Sequence, residues 1–473
     1  MRSAFLSLPR WFAELRRSDD LRRKRLLAML NGVTTSLGNK LLAVLITFVS
    51  VPLTIGYLGP ERYGAWIAIN AFLAWVGLTD LGLSHGLTNA VTSAASRDRP
   101  DLVRMHLSNF LFLIGLVSAV AAVAFAVAWP LIDWGKMFGV SDAAVVAEVR
   151  LTVAVALALF LIRLPLAIGG RVLVAYQEGH LGNYWAAAGN VLTLLALVLV
   201  TQTEGGLPLL AFALTGVVVL VDIASLIWLF GRRRPALRPG LRHVDRRGFG
   251  EIVRVGYQFF LISIMALVTF QTDVLVIARF LGSAEVPSYN LTYQLFNYAM
   301  LPHALIFPYL WAAYNEAITR GDIAWVRRAL RLCLLGGVAW AVVAALGLIV
   351  VAKPFIGWWA GPAVVPTTGL VLLMAAWLPL NMATNTIACL LAAASHLRNQ
   401  LIYSACSTVS NLVLSVLLVT RVGAEGVIGA TILSYLVFVL VPSLLDARFL
   451  LRRLERERAP DAPGPAAASA VHG

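Results

Sequence analysis

The sequence predicts an all-α integral membrane protein, with twelve transmembrane helices in two six-helix lobes related by pseudo-two-fold symmetry along the membrane normal. Three observations predict it. Hydrophobic residues make up 59% of the 473-residue chain against 13% charged, which fits no soluble globular class. Apolar windows of about 20 residues or more, the length a helix rising about 1.5 Å per residue needs to cross hydrocarbon, recur from end to end. Arginine, finally, gathers on every second connection.

Residues 1–28 form a basic N-terminal segment, with Phe5, Leu6, Leu8, Trp11 and Phe12 ahead of Arg16, Arg17, Arg22, Arg23, Lys24 and Arg25. A secretory signal would place its charges first and a cleavage site after the apolar run. Here the order is reversed, which reads either as an interfacial helix on anionic lipid or as a solvated stop signal. The first lobe, residues 29–231, holds spans Val33 to Leu58, Gly64 to Ala95, Met105 to Trp129, Ala147 to Gly170, Leu181 to Thr201 and Leu207 to Gly231. Residues 232–250 form a basic linker with Pro235, Pro239 and Gly240. The second lobe, residues 251–458, holds Ile252 to Leu281, Pro287 to Ile318, Leu330 to Val351, Pro366 to Ser395, Asn399 to Thr420 and Gly426 to Leu450. The tail, residues 459–473, is rich in Ala and Pro and is expected to be disordered.

Orientation follows from the 38 Lys and Arg. Thirty lie on or beside the N-terminal segment, the loops after spans two, four, six, eight and ten, and the tail; five (Arg62, Lys136, Arg150, Lys353, Arg421) lie on the opposite side. Basic residues near span ends resist translocation, so both termini are expected in the cytoplasm. The net charge of +14 is therefore topological and does not imply a nucleic-acid partner.

The halves repeat each other. Span one ends in Leu58-Gly59 followed by Glu61 and Tyr63, and span seven in Leu281-Gly282 followed by Glu285 and Tyr289. Each half then reaches a similar loop, Arg99-Pro100-Asp101 in one and Arg320-Gly321-Asp322 in the other. Six spans per half is an even number, so both halves enter from one side, as in parallel two-lobe transporters.

Catalytic patterns are scarce, and no cofactor or metal is expected. No GxxxxGK[ST] loop or HExxH pair occurs, and Cys333, Cys389 and Cys406 lie within or at the ends of spans. Gly82-Leu83-Ser84-His85-Gly86 fits the GxSxG of hydrolases, but that motif needs a strand-to-helix turn, whereas this run lies in an apolar helix. Gly82 and Gly86 four apart read better as a close-packing face.

Ionisable residues inside spans are the stronger clue, because each costs about 2.5 to 3.5 kcal/mol at a helix centre. They are Lys40, Arg163 and Arg279, with Asp80, Asp222 and Asp273. Asp273 and Arg279 stand about 120° from eclipsed on one helix, so each needs a partner elsewhere. Pro52, Pro302, Pro308 and Pro379 favour kinks inside spans. Near them lie Asn381, Thr384, Asn385 and Thr386, and Asn290, Gln294 and Asn297 with Tyr289, Tyr293 and Tyr298. Such groups suit sugar hydroxyls and sugar faces, yet amides equally serve as interhelical glue.

Val51-Pro52-Leu53-Thr54-Ile55-Gly56-Tyr57-Leu58-Gly59-Pro60-Glu61-Arg62-Tyr63-Gly64-Ala65-Trp66, followed by Thr79-Asp80-Leu81-Gly82-Leu83, resembles the opening of Wzx-type polysaccharide flippases, which share a superfamily with the multidrug and toxin extruders. Gln271 to Gly282, and Pro308 to Ala317 leading into the Arg320 loop, are similar to the second lobe of that family. The resemblance spans roughly Leu30 to Leu450. It implies movement of an undecaprenyl-pyrophosphate-linked oligosaccharide from the cytoplasmic to the outer leaflet of a bacterial inner membrane, by alternating access coupled to an ion gradient. Twelve spans depart from the fourteen usual in lipid II flippases. Lys40, Arg163 and Arg279 then become the candidates for the pyrophosphate. Asp80, Asp273 and Asp222 become those for charge balance or coupling. Asn290, Gln294, Asn297, Tyr293, Asn381 and Asn385 become those for the sugar. The implied partners are the lipid-linked substrate, membrane lipid, and a polysaccharide polymerase with export machinery. A multidrug or organic-cation antiporter on the same fold is the alternative, ahead of a membrane polysaccharide polymerase. A polymerase would need a catalytic outer loop, and the longest, Pro130 to Val146, offers only Asp133, Lys136 and Asp142.

Overall fold

The computed structural model describes residues 21–394 and 397–456, so the expectations for the segment around Phe5 to Arg17 and for the tail lie outside it. Among the described residues the secondary structure is helical throughout, and nine segments are long and apolar enough to cross a membrane. The chain divides into two compact units, one ending at Leu267 and the other beginning at Val268.

The first unit contains α1 (Leu21–Val76), α2 (Leu83–Ser96), α3 (Pro100–Ala128), the short α4 (Trp134–Phe138), α5 (Ala143–Leu166), α6 (Ile168–Ala175), α7 (Gly179–Val200), α8 (Gly206–Trp228) and the first part of α9 (Phe249–Leu281). α1 is two helices joined by a kink at Gly59, whose backbone (φ 74°, ψ 168°) is not helical, and together they cover the first predicted span and the start of the second. Gly282 after α9 has almost the same backbone (φ 98°, ψ 158°). Side chains clash in that conformation, so the repeated Leu-Gly pair builds the same turn twice and needs glycine both times.

The second predicted span breaks where no proline warns of it. A 3-10 turn, Gly77–Asp80, leads through Leu81 (φ 50°) and Gly82 (φ 71°) into α2. Close packing requires these small residues: a Cβ on Gly82 would fall 2.0 Å from the Gly256 carbonyl oxygen, and one on Gly86 2.0 Å from that of Ile252. The His85 ring stacks on Phe259 beside them, centroids 4.5 Å apart. Gly82 to Gly86 is thus a helix-packing face against α9.

α3 shows what surrounds the molecule. Val103, Leu107, Phe110 and Ile114 are fully buried at helical spacing, against α2 and α6. Further along, Leu116, Val120, Val123 and Val127 form a stripe 54% to 67% exposed. Leaving that stripe in water would forfeit about 25 cal/mol per Å² of apolar surface, whereas hydrocarbon accepts it. α5 packs on α8 and α1 on α7. The basic linker is a run of short turns fastened to α3. Asn109 donates to the Asp245 carbonyl and accepts its N–H, both at 2.9 Å, and the Gly240 N–H donates to Ser108 Oγ at 3.1 Å.

The second unit contains the rest of α9, then α10 (Val286–Tyr298), α11 (Leu301–Arg320), α12 (Ile323–Ala360), α13 (Thr368–Ala393), α14 (Leu397–Val422), α15 (Ala424–Tyr435) and α16 (Val441–Arg456). The eighth predicted span is split between α10 and α11 at Ala299–Met300, just before Pro302, whose missing N–H suits a helix start. Asp322 caps α12 by accepting the Trp325 N–H at 3.0 Å. α12 packs on α13 and α14 on α15, and α11, α12, α13 and α16 share a core that includes Tyr314, Val326, Leu390 and Leu450.

Candidate functional site

In the second unit, α9, α10, the start of α11, α13 and α15 enclose a cavity of about 700 Å³. Helical spacing explains its lining. Asn290, Gln294 and Asn297 follow one face of α10, with Tyr289 and Tyr293 alongside, while Trp377, Asn381 and Asn385 follow one face of α13. The break before Pro302 adds Met300, His303 and Phe307, and α9 adds Gln271 and Asp273. All six residues singled out for sugar contact therefore line one cavity. No Lys or Arg is among the described lining residues.

Asp273 is the charged centre of this cavity and is 7% exposed. Tyr289 donates to its Oδ2 at 2.7 Å, and Thr431 Oγ1 lies 3.3 Å from the same oxygen. Behind Thr431 runs a buried relay, in which Asn411 Nδ2 donates to Thr431 Oγ1 at 2.9 Å and Ser415 donates to Asn411 Oδ1 at 2.8 Å. The other carboxyl oxygen, Oδ1, is buried with no hydrogen-bond partner among the described residues, and so is Gln294 Oε1. Buried acceptors without donors are costly, so the site favours a ligand that supplies donors. Asn385 is occupied internally, donating to the Asn381 carbonyl at 2.8 Å and to its Oδ1 at 2.6 Å. His303 Nε2 lies 3.2 Å from Thr386 Oγ1. Trp377 packs edge-on against Tyr435, centroids 4.8 Å apart.

The other intramembrane charges stand elsewhere. Arg163 on α5 pairs with Asp222 on α8 at 2.9 Å, side chains 49% and 29% exposed. Asp80 accepts the Ser84 hydroxyl at 2.8 Å and the Ser84 N–H at 3.3 Å, closing the start of α2. Lys40 is exposed on α1, next to Asn39, whose Oδ1 accepts from Asn190 at 3.1 Å. Arg279 is exposed in the last turn of α9 and is not in the cavity lining. Asp133 and Asp142 cap α4 and α5, so the acids of the longest predicted outer loop serve local structure. Sequence reasoning missed Thr431, Asn411 and Ser415. Their only signal is a polar residue every few positions in apolar helices, which ordinary helix packing also produces.

Exposed apolar stripes and nine long apolar segments among the described residues define a multi-pass membrane protein, here with a polar internal cavity. The chain belongs to the polysaccharide biosynthesis protein family, whose model matches residues 29–314. It is 23% identical over 298 residues to a Salmonella typhimurium (strain LT2) protein described as "Putative O-antigen transporter", over 59% of this chain. The matched part spans 63% of that relative's length. Among solved structures, it superposes with TM-score 0.76 on an inward-facing multidrug resistance transporter of the MATE family and MOP superfamily, at 15% identity over 88% of this chain and 96% of that one. An outward-facing structure of a MATE family transporter gives 0.62 at 14% identity, over 94% and 98%. A MOP superfamily transporter from Pyrococcus furiosus, reported for the reverse polarity of its binding pocket, gives 0.58 at 14%, over 93% and 98%. These structures establish the fold. The resemblance to Wzx-type flippases read from the first and seventh spans is borne out by the family match and the Salmonella relative.

Proposed function

We propose that this protein is a flippase. It moves an undecaprenyl-pyrophosphate-linked oligosaccharide from the cytoplasmic to the outer leaflet of a bacterial inner membrane, for a polysaccharide polymerase and export machinery to use. The observation that carries this reading is the cavity of the second unit, where six carboxamides stand among tyrosine and tryptophan rings, groups that bond hydroxyls and stack on sugar faces. Twelve spans in two six-helix lobes, residues 29–231 and 251–458, with both termini cytoplasmic, provide alternating access. The matching turns at Gly59 and Gly282 support the repeat.

Lys40 is the first candidate for the pyrophosphate, since no described residue pairs with it; Arg163 can join only by leaving Asp222. Asp273 is the coupling acid, because Asp80 and Asp222 are engaged locally. In a flippase-null host, the wild-type chain should restore surface glycan, and Lys40→Ala should abolish that rescue with membrane insertion intact. Properly inserted wild-type protein that restores no glycan in its native genetic setting overturns the reading.

A second reading, export of organic cations, is favoured by one observation: the cavity holds a carboxyl and aromatic rings with no Lys or Arg among the described lining residues. A deletion strain sensitised to cationic dyes with normal surface glycan would select it.

A further inference from the structure

We infer that the cavity of the second unit selects the carbohydrate by charge, accepting neutral or amine-bearing sugars and rejecting acidic ones. This rests on the flippase reading and names the substrate class of its sugar site. Three features combine. No Lys or Arg is among the described lining residues, so no permanent positive charge there answers a uronate or a pyruvyl group. The one ionisable acid, Asp273, is 7% exposed, where little water screens its field. The two buried lining atoms without partners among the described residues, Asp273 Oδ1 and Gln294 Oε1, are both acceptors, so the missing complement is a donor.

A hydroxyl or an ammonium group supplies that donor. A carboxylate supplies a third acceptor and a second negative charge. Asn385 cannot compensate, because its amide donates to Asn381. Trp377 and Tyr293 offer apolar ring faces, which stack on the C–H faces of neutral sugars. The pyrophosphate must be held by cations outside this lining, so the cavity reads only the sugar.

The test uses the purified full-length chain in detergent and three lipid-free trisaccharides of similar size: N-acetylglucosamine (neutral), glucosamine (cationic) and galacturonate (anionic). Binding is read by ligand-induced thermal stabilisation. The neutral and cationic trimers should bind, and the galacturonate trimer about tenfold more weakly or worse, the effect of one unanswered buried charge. Asp273→Asn should bring galacturonate close to the neutral trimer. Should that variant fail to fold, Asn385→Asp, which adds a second acid to the lining, should widen the gap. Galacturonate binding wild type as tightly as the neutral trimer overturns charge selection and leaves the flippase reading in place. Ethidium binding with no response to any sugar overturns both.

Discussion

The two units handle intramembrane charge in opposite ways. In the first, each acid has a local partner: Asp222 meets Arg163, and Asp80 closes the start of α2 through Ser84. In the second, Asp273 is more deeply buried, is bonded through one oxygen only, and sits in a cavity with no opposing cation among the described lining residues. A paired charge holds helices together. A charge left half-satisfied at a cost points to work on a ligand.

The sharpest way to break this comparison is to neutralise the two kinds of acid at constant shape. Asp273→Asn should lower surface glycan about tenfold or more in a null host, since a hydrogen-bonded charge contributes about 1.5 to 3 kcal/mol. Asp80→Asn keeps an acceptor for Ser84 and should leave most of the glycan. Equal losses would mean that the units do not differ in this respect.

Arg163 tests whether pairing excludes function. If it serves only Asp222, Arg163→Ala and Asp222→Ala should each reduce glycan, and the double variant should recover, because no lone charge remains. If it binds pyrophosphate, the double variant stays as poor as Arg163→Ala. The half-exposed pair itself should contribute no more than about 1 kcal/mol to stability.

Gly86→Ala probes the architecture. Its Cβ would overlap the Ile252 carbonyl, and backbone yields less readily than a side chain, so stability should fall by about 1 to 3 kcal/mol. A lowered melting temperature in detergent, with the glucosamine trimer still bound, is the expected result. Unchanged melting would show that α2 and α9 do not approach this closely.

Membrane character, the Leu-Gly turns and the amide-rich set that lines the cavity were legible in the sequence, because each rests on local chemistry: apolar length, glycine backbone, and amides at helical spacing. The break after Asp80 was not. Gly82 read as a packing residue, and only the approach of Ile252 and Gly256 shows why the helix gives way there. The pairing of Arg163 was equally hidden. Six charges on different helices allow many pairings, and chain order does not say that α5 lies on α8. Asp273 could be seen as costly, but not as the one carboxylate among the described residues that line the amide-rich cavity.

The smallest effect concerns the relay behind Asp273. Ser415→Ala removes one donor from Asn411, whose amide still reaches Thr431. The expected cost is roughly 0.5 to 1.5 kcal/mol, with glycan nearly unchanged, because Tyr289 continues to hold Oδ2 at 2.7 Å. Thr431→Val goes one step nearer and removes the hydroxyl beside the carboxyl itself. If the relay only supports the fold, both substitutions lower the melting temperature and leave the neutral-to-galacturonate binding ratio alone. If it sets the charge on Asp273, Thr431→Val narrows that ratio while Ser415→Ala does not, which would make the cavity's selectivity a property of α15 as well as α9.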